Sequence, residues 1–188
     1  MTGVSAERAA SVLRDGGVVL VPTETVVGLV AAEAGSLNSI KGSDPGKPLA
    51  LLCATAEEAL ALAAGVPPVA LELAEAYWPG PLTLVLDRRG GGTVGVRVPA
   101  GAVVGVLRAY GGPLYATSAN PSGALAPRSL GEVDPAVAAA ADLVVPGEPG
   151  SGEASAVVDF SGGGMRLLRA TRTLTGETLR GLAGGLSG

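Results

Sequence analysis

Val18-Val19-Leu20-Val21-Pro22-Thr23-Glu24-Thr25 is the stretch that decides the fold. Four apolar residues in a row describe a strand covered on both faces, because a half-exposed strand shows a polar residue at every second position. Pro22 closes the run and hands Thr23, Glu24 and Thr25 to the strand's end, where hydroxyl and carboxylate groups are useful. Working outward, Ala9, Val12 and Leu13 make one apolar helical face, with Ser5 as the expected N-cap and Gly16-Gly17 as the stop. On the other side, residues 28–40 read as a turn and a short connecting helix. A loop over 41–48 follows, punctuated by Gly42, Pro45, Gly46 and Pro48.

Residues 49–53 read as another buried strand, and Thr55 with Glu58 is a capping-box pair opening a helix over 56–64. A second helix is expected over 68–77, broken by Trp78-Pro79-Gly80-Pro81. Strand-like runs at 82–86 and 94–98 flank Gly90-Gly91-Gly92 and predict a hairpin. A helix over 103–110 stops at Gly111-Gly112, a strand follows over 114–117, and Asp134-Pro135 is a capped start for an alanine-rich helix. Further strands are expected over 143–145, 156–160 and 165–168, before a closing helix from about 175. Strands and helices alternate without segregating, and one pair is a hairpin. The pattern therefore predicts an α/β fold in one domain spanning 1–188, with a twisted mixed sheet flanked by helices.

Composition removes several classes of chemistry. Hydrophobic residues make up 47% of the 188, yet no apolar run approaches the ~20 residues that crossing a bilayer takes, so no membrane role is expected. The start of the chain lacks the pattern of a secretory signal, and the expected location is the cytoplasm. Cys53 is the only cysteine and lies in an apolar stretch, so it reads as a buried inert thiol. The absence of histidine excludes Ser-His-Asp hydrolysis and argues against a protein-built zinc site; no metal ligand is assigned. A net charge of −4 does not draw nucleic acid to the whole surface, so an anionic substrate needs locally focused positive charge.

Four polar clusters sit at ends of predicted strands: residues 22–25, the loop 41–47, Arg97, and Thr117-Ser118-Ala119-Asn120. Thr23 and Thr25 read equally as turn formers and as ligands of a small polar substrate. Lys41 and Lys47 read either as solvated charges or, on a glycine-containing loop, as triphosphate neutralisers. No Walker or dinucleotide-binding glycine pattern occurs. Arg97 and Arg169 lie in or beside apolar strands, where a guanidinium needs an anion; internal pairing with Glu24 or Asp159 is the plain alternative to a bound ligand. Trp78 reads as a packing residue.

The ordered motifs are specific: Pro-Thr-Glu-Thr-Val-x-Gly-Leu at 22–29, Lys-Gly at 41, Pro-Leu at 48, Trp-Pro-Gly-Pro-Leu-Thr at 78–83, Val-Arg-Val-Pro at 96–99, Ser-Ala-Asn-x-Ser-Gly at 118–123 and Val-Val-Asp at 157–159. Together they resemble the YrdC family of threonylcarbamoyl-adenylate synthases over about residues 5–182. The resemblance implies a nucleotidyltransferase joining L-threonine, bicarbonate and ATP, with Mg²⁺ carried by the nucleotide, for threonylcarbamoyladenosine modification of tRNA. By that analogy Thr23, Arg97 and Ser155 contact threonine. Lys41, also the expected catalytic cation, joins Ser118, Asn120 and Arg169 in contacting ATP. The family has also been linked to double-stranded RNA, and tRNA or tRNA-modification proteins are expected as partners that take up the product.

The chain departs from the family pattern near the implied pocket. The family's loop reads Lys-x-Arg-Pro, and here Ser43 and Asp44 replace its arginine and proline. Val27 replaces a tyrosine, Ala100-Gly101 an acidic-His pair, Ala156 a threonine and Thr171 a glycine. Lys47 is expected to reach back toward the position of the lost arginine. The alternative expectation is a catalytically impaired paralogue that binds nucleotide or double-stranded RNA.

Overall fold

The computed structural model describes residues 3–42 and 48–185, and Ser43, Asp44 and Lys47 lie outside the described residues. Nine strands form one mixed sheet in the order β7-β1-β2-β6-β3-β5-β4-β8-β9. β1 (Val18–Pro22) is buried at every position, as its unbroken apolar run requires. Two helical layers do this. On one face α1 (Gly3–Arg14) and α5 (Val103–Tyr110) pack Leu13, Val106 and Leu107 against Val19 and Val21. On the other, α2 (Ala34–Lys41) and α6 (Pro135–Ala139) pack Leu37 and Val137 against Val18 and Leu20.

One strand was not foreseen. Val27–Ala31 forms β2, antiparallel to β1, where the sequence suggested a turn leading to a helix. Gly28 interrupts the apolar run and hides its strand character; pairing with β1 through the tight turn at 23–26 decides it. The connecting helix survives only as α2. Its C-terminus is closed by Gly42 in the left-handed region (φ 57°), a conformation that costs glycine little. Two smaller corrections follow. Helix α1 starts at Gly3, so Ser5 lies in its first turn and does not cap it. Helix α3 (Ala56–Ala61) is shorter than expected; Thr55 caps it by accepting from Glu58 N–H, while the Glu58 carboxylate accepts from Ala54 N–H and not from the cap residue itself.

The other half of the sheet is built differently. β4 (Leu82–Asp87) and β5 (Thr93–Arg97) form the expected antiparallel hairpin, and β3 (Ala50–Leu52) runs parallel to β5. β8 (Ala156–Asp159) lies parallel to β4, and the edge strand β9 (Arg166–Arg169) pairs with β8. One face of this half carries Leu82, Leu84, Leu86, Val94, Val96 and Val158, covered by α3, α4 (Pro68–Tyr77) and α7 (Gly176–Gly185). Trp78 packs against this cluster and donates its Nε1–H to Leu82 O at 2.7 Å, as a packing residue should. On the opposite face Leu52 packs with Val103 and Leu107 of α5, whereas among the described residues no apolar cluster covers Ala50, Gly95 and Val85. Among the described residues no helix is long and apolar enough to cross a membrane.

Cys53 sits fully buried in the helix-covered core. Burial, and secondarily the Glu58 charge, push its thiol up to about 12. Native protein is therefore expected to resist iodoacetamide at pH 8 and to be alkylated only after denaturation, because the thiolate is the reactive form. Rapid labelling of the folded chain would contradict this packing.

Candidate active site

The uncovered face is the candidate site. The register places Val85, Gly95, Ala50 and Ala116 in one row across β4, β5, β3 and β6 (Leu114–Ser118). All four are half-buried and small, so they form a shallow floor. Polar groups rise on both sides of it.

On one side, at the end of β6, the Lys41 ammonium donates to Ser118 O (2.9 Å) and Asn120 O (2.6 Å). Helix α2 aims this lysine, and the 118–123 turn receives it. The Asn120 amide is committed to that turn: its Nδ2 donates to Pro121 O and Ala124 O, and its Oδ1 accepts from Lys41 at 3.4 Å.

On the other side lies Arg97, two residues beyond Gly95 on β5 and level with Leu52 and, through it, Leu114. Its Nη2 donates to Glu24 Oε1 (2.6 Å) and Thr25 Oγ1 (2.9 Å), and its Nε to Gly80 O (3.2 Å). The second carboxylate oxygen of Glu24 accepts from Ala100 N–H. The internal-pairing reading of Arg97 is thus realised with Glu24. Its Nη1 has no partner among the described residues. Asp159 pairs with Arg166, not with Arg169.

Thr23 is the turn former of its pair of readings. Its hydroxyl donates to Val26 O (2.7 Å) and accepts from the N–H groups of Thr25 and Val26. Its effect is to hold Glu24 and Thr25 toward Arg97. A third group joins them: Arg169 Nε donates to Ser155 O (2.6 Å), its Nη2 reaches Ser155 Oγ (3.3 Å), and Ser155 Oγ lies 2.9 Å from Thr83 Oγ1. Burial, and then the charge of Arg97, lower the Arg169 pKa, so the two guanidinium groups are close enough to repel. Such an arrangement favours an anion between them.

These clusters do not share one end of the sheet. Thr23 follows Pro22, which pairs with Val27, next to the Gly28–Ser118 level, whereas Arg97 lies at the opposite end of its ladder. Four strand-to-strand steps separate β1 from β5. At roughly 20–25° per step the twist turns β5 almost across β1. Gly101 accordingly packs on the backbone of Thr23 and Glu24.

Sequence reasoning named Ser155 but missed its neighbour Thr83 and the 146–152 segment. Alternation in Leu82-Thr83-Leu84 was the available signal for Thr83: a polar residue facing away from the helix-covered core. No local signal marks the segment, whose Ser151 and Gly152 N–H groups bind the Glu24 and Thr25 carbonyls. Two concavities flank the 98–101 loop. The one of about 290 Å³ is walled by Trp78, Pro79, Val98 and Val104, away from the polar cluster, while the one of about 660 Å³ includes Thr23 and Glu24. Neither is lined by Lys41, Arg97, Ser155 or Arg169.

A family model named Sua5_yciO_yrdC, described as telomere recombination, matches residues 11–171. The chain belongs to the Sua5/YciO/YrdC family. Within that family it is 38% identical over 157 residues to the threonylcarbamoyl-AMP synthase of Halorhodospira halophila, spanning 76% of this chain and 82% of that protein. Two structures of Pyrococcus abyssi Sua5, one doubly substituted and one complexed with L-threonine, superpose with TM-scores of 0.82 and 0.78 at 32% and 31% identity. Each match covers 90% of this chain but only 57% and 54% of the other, so the chain spans little more than half the length of that Sua5. The mixed sheet flanked by helices is the fold of these family structures.

Proposed function

We propose that the chain forms threonylcarbamoyl-adenylate and pyrophosphate from L-threonine, bicarbonate and ATP, supplying the activated intermediate for modifying an adenosine in tRNA. The observation that carries this reading is the two-sided trough: a floor of small residues with Lys41 and the 118–123 turn along one side and Arg97, Ser155 and Arg169 along the other. The two sides stand four residues apart along the strands, about 13 Å at ~3.3 Å per residue. That span suits a small amino acid joined to a nucleotide.

In this reading the threonine carboxylate takes the unpartnered Nη1 of Arg97 and the Ser155 hydroxyl, with Thr23 holding the supporting turn. The triphosphate lies toward Lys41, Ser118 and Asn120, and Arg169 stands between the two substrates. The threonine amine captures bicarbonate with loss of water, or CO₂ derived from it with loss of a proton, as a carbamate. A carbamate oxygen then attacks the α-phosphorus, the α–β phosphoanhydride bond breaks, and pyrophosphate leaves. Positioning and charge neutralisation carry such a reaction, so the lack of a histidine base is no obstacle. Among the described residues no cluster of three or more acidic or cysteine side chains fits a metal, so Mg²⁺ is read as held by the phosphates, and no step here depends on it.

The test is pyrophosphate release with and without L-threonine, with the product checked by mass. Threonine-dependent release with threonylcarbamoyl-adenylate formed is the expected result. ATP binding without release would favour a second reading, a nucleotide-binding paralogue, to which Ser43 and Asp44 in place of the family's arginine and proline point. Ser43→Arg separates the two further. In an enzyme weakened by a missing cation it should raise turnover at least about tenfold, and in a binding module it should raise nothing.

A further inference from the structure

We propose that Thr83 is a positioning residue that sets the direction of the Ser155 hydroxyl proton, so that Ser155 presents a donor to the substrate carboxylate. The inference rests on the functional reading above. Thr83 lies on the uncovered face of β4, opposite Val157 of β8, which in turn pairs with Arg169 of β9. One row thus places Thr83 and Arg169 on either side of the segment that Ser155 begins.

Proton accounting gives the direction. Each hydroxyl has one proton and two lone pairs. Thr83 is 6% exposed, and its hydroxyl has one partner among the described residues, Ser155 Oγ at 2.9 Å. Ser155 is as buried, at 4% exposed, so each proton needs an acceptor; with a carboxylate beside Ser155 both are satisfied only when Thr83 donates to Ser155 and Ser155 donates to the carboxylate. Arg169 Nη2 fills the other Ser155 lone pair, at 3.3 Å. With both lone pairs occupied and Thr83 already donating, the Ser155 proton points away from both, and the functional reading places the carboxylate there. An anion there finds a donor. With the chain of donation reversed, Ser155 would meet the same anion with no proton to give, and Thr83 would keep a buried proton unpaired.

Thr83→Val keeps the shape and removes the hydroxyl. In the pyrophosphate-release assay the KM for threonine should rise about tenfold, as expected for losing one oriented hydrogen bond, while the KM for ATP stays within about twofold. Thr83→Ser, which restores the hydroxyl without the methyl, should return the threonine KM to within about threefold of the parent value. Adding Thr83→Val to Ser155→Ala should cost nothing more, because Thr83 acts through Ser155. An unchanged threonine KM in Thr83→Val, an equal rise in both KM values, or failure of serine to rescue would overturn the proposal while leaving the functional reading intact. Loss of threonine dependence in the unsubstituted protein would overturn the functional reading, and this proposal with it.

Discussion

Arg97→Met should cut threonine-dependent pyrophosphate release by at least about a hundredfold, the scale of losing a preorganised charged contact at a reacting centre, while ATP binding persists. Arg97 Nη1 has no partner among the described residues, and its other nitrogens tie Glu24, Thr25 and Gly80 together. The substitution also leaves a Glu24 carboxylate that is only 23% exposed without its ion-pair partner. Breaking a buried pair from one side costs about 3–5 kcal/mol, and the partial exposure of Glu24 brings this to roughly 2–3 kcal/mol. Thermal unfolding should therefore shift down by roughly 4–10 °C. Glu24→Gln is the control: it keeps an acceptor for the Ala100 N–H and separates lost charge pairing from lost substrate contact. Turnover near the parent level in Arg97→Met would remove Arg97 from the threonine subsite.

Gly150→Ala is the second large effect, and it acts through the backbone. A Cβ at Gly150 would meet the Thr25 carbonyl oxygen at 2.3 Å and that of Thr23 at 2.8 Å, contacts that no side-chain movement can relieve. The neighbouring N–H groups of Ser151 and Gly152 bind the Glu24 and Thr25 carbonyls, so the 146–155 segment clamps the turn that aims Glu24 at Arg97. Forcing the two strands of backbone apart should destabilise the chain by roughly 2 kcal/mol or more, about 4–8 °C in melting temperature. It should also raise the threonine KM, because Ser155 and the Thr23 turn separate together. Gly123→Ala is the comparison, since a Cβ there meets nothing within 4 Å and only its left-handed backbone is strained. An unaltered melting temperature in Gly150→Ala would show that the clamp is looser than these contacts require.

Much of the architecture was legible locally. Helices α4 and α5 end where Trp78-Pro79 and Gly111 stop them, and both were expected with the bounds observed. The hairpin of β4 and β5 followed from two apolar runs around three glycines. The unbroken apolar run of β1 foretold its two-sided burial, and the structure hydrogen-bonds Lys41 to Ser118 and Asn120, and Arg169 to Ser155.

What the chain determines by itself is therefore which segments are strands or helices wherever apolar spacing and stop residues agree, and which polar residues are set at their ends. Those choices rest on interactions within a few residues. The tertiary structure alone decided that Val27–Ala31 is a strand, that Glu24 is the partner of Arg97, and that Thr83 stands behind Ser155. Each of these depends on strand order and on the twist summed over several strands. Both are set by long-range pairing, as between Val19 and Leu143, which no local window contains.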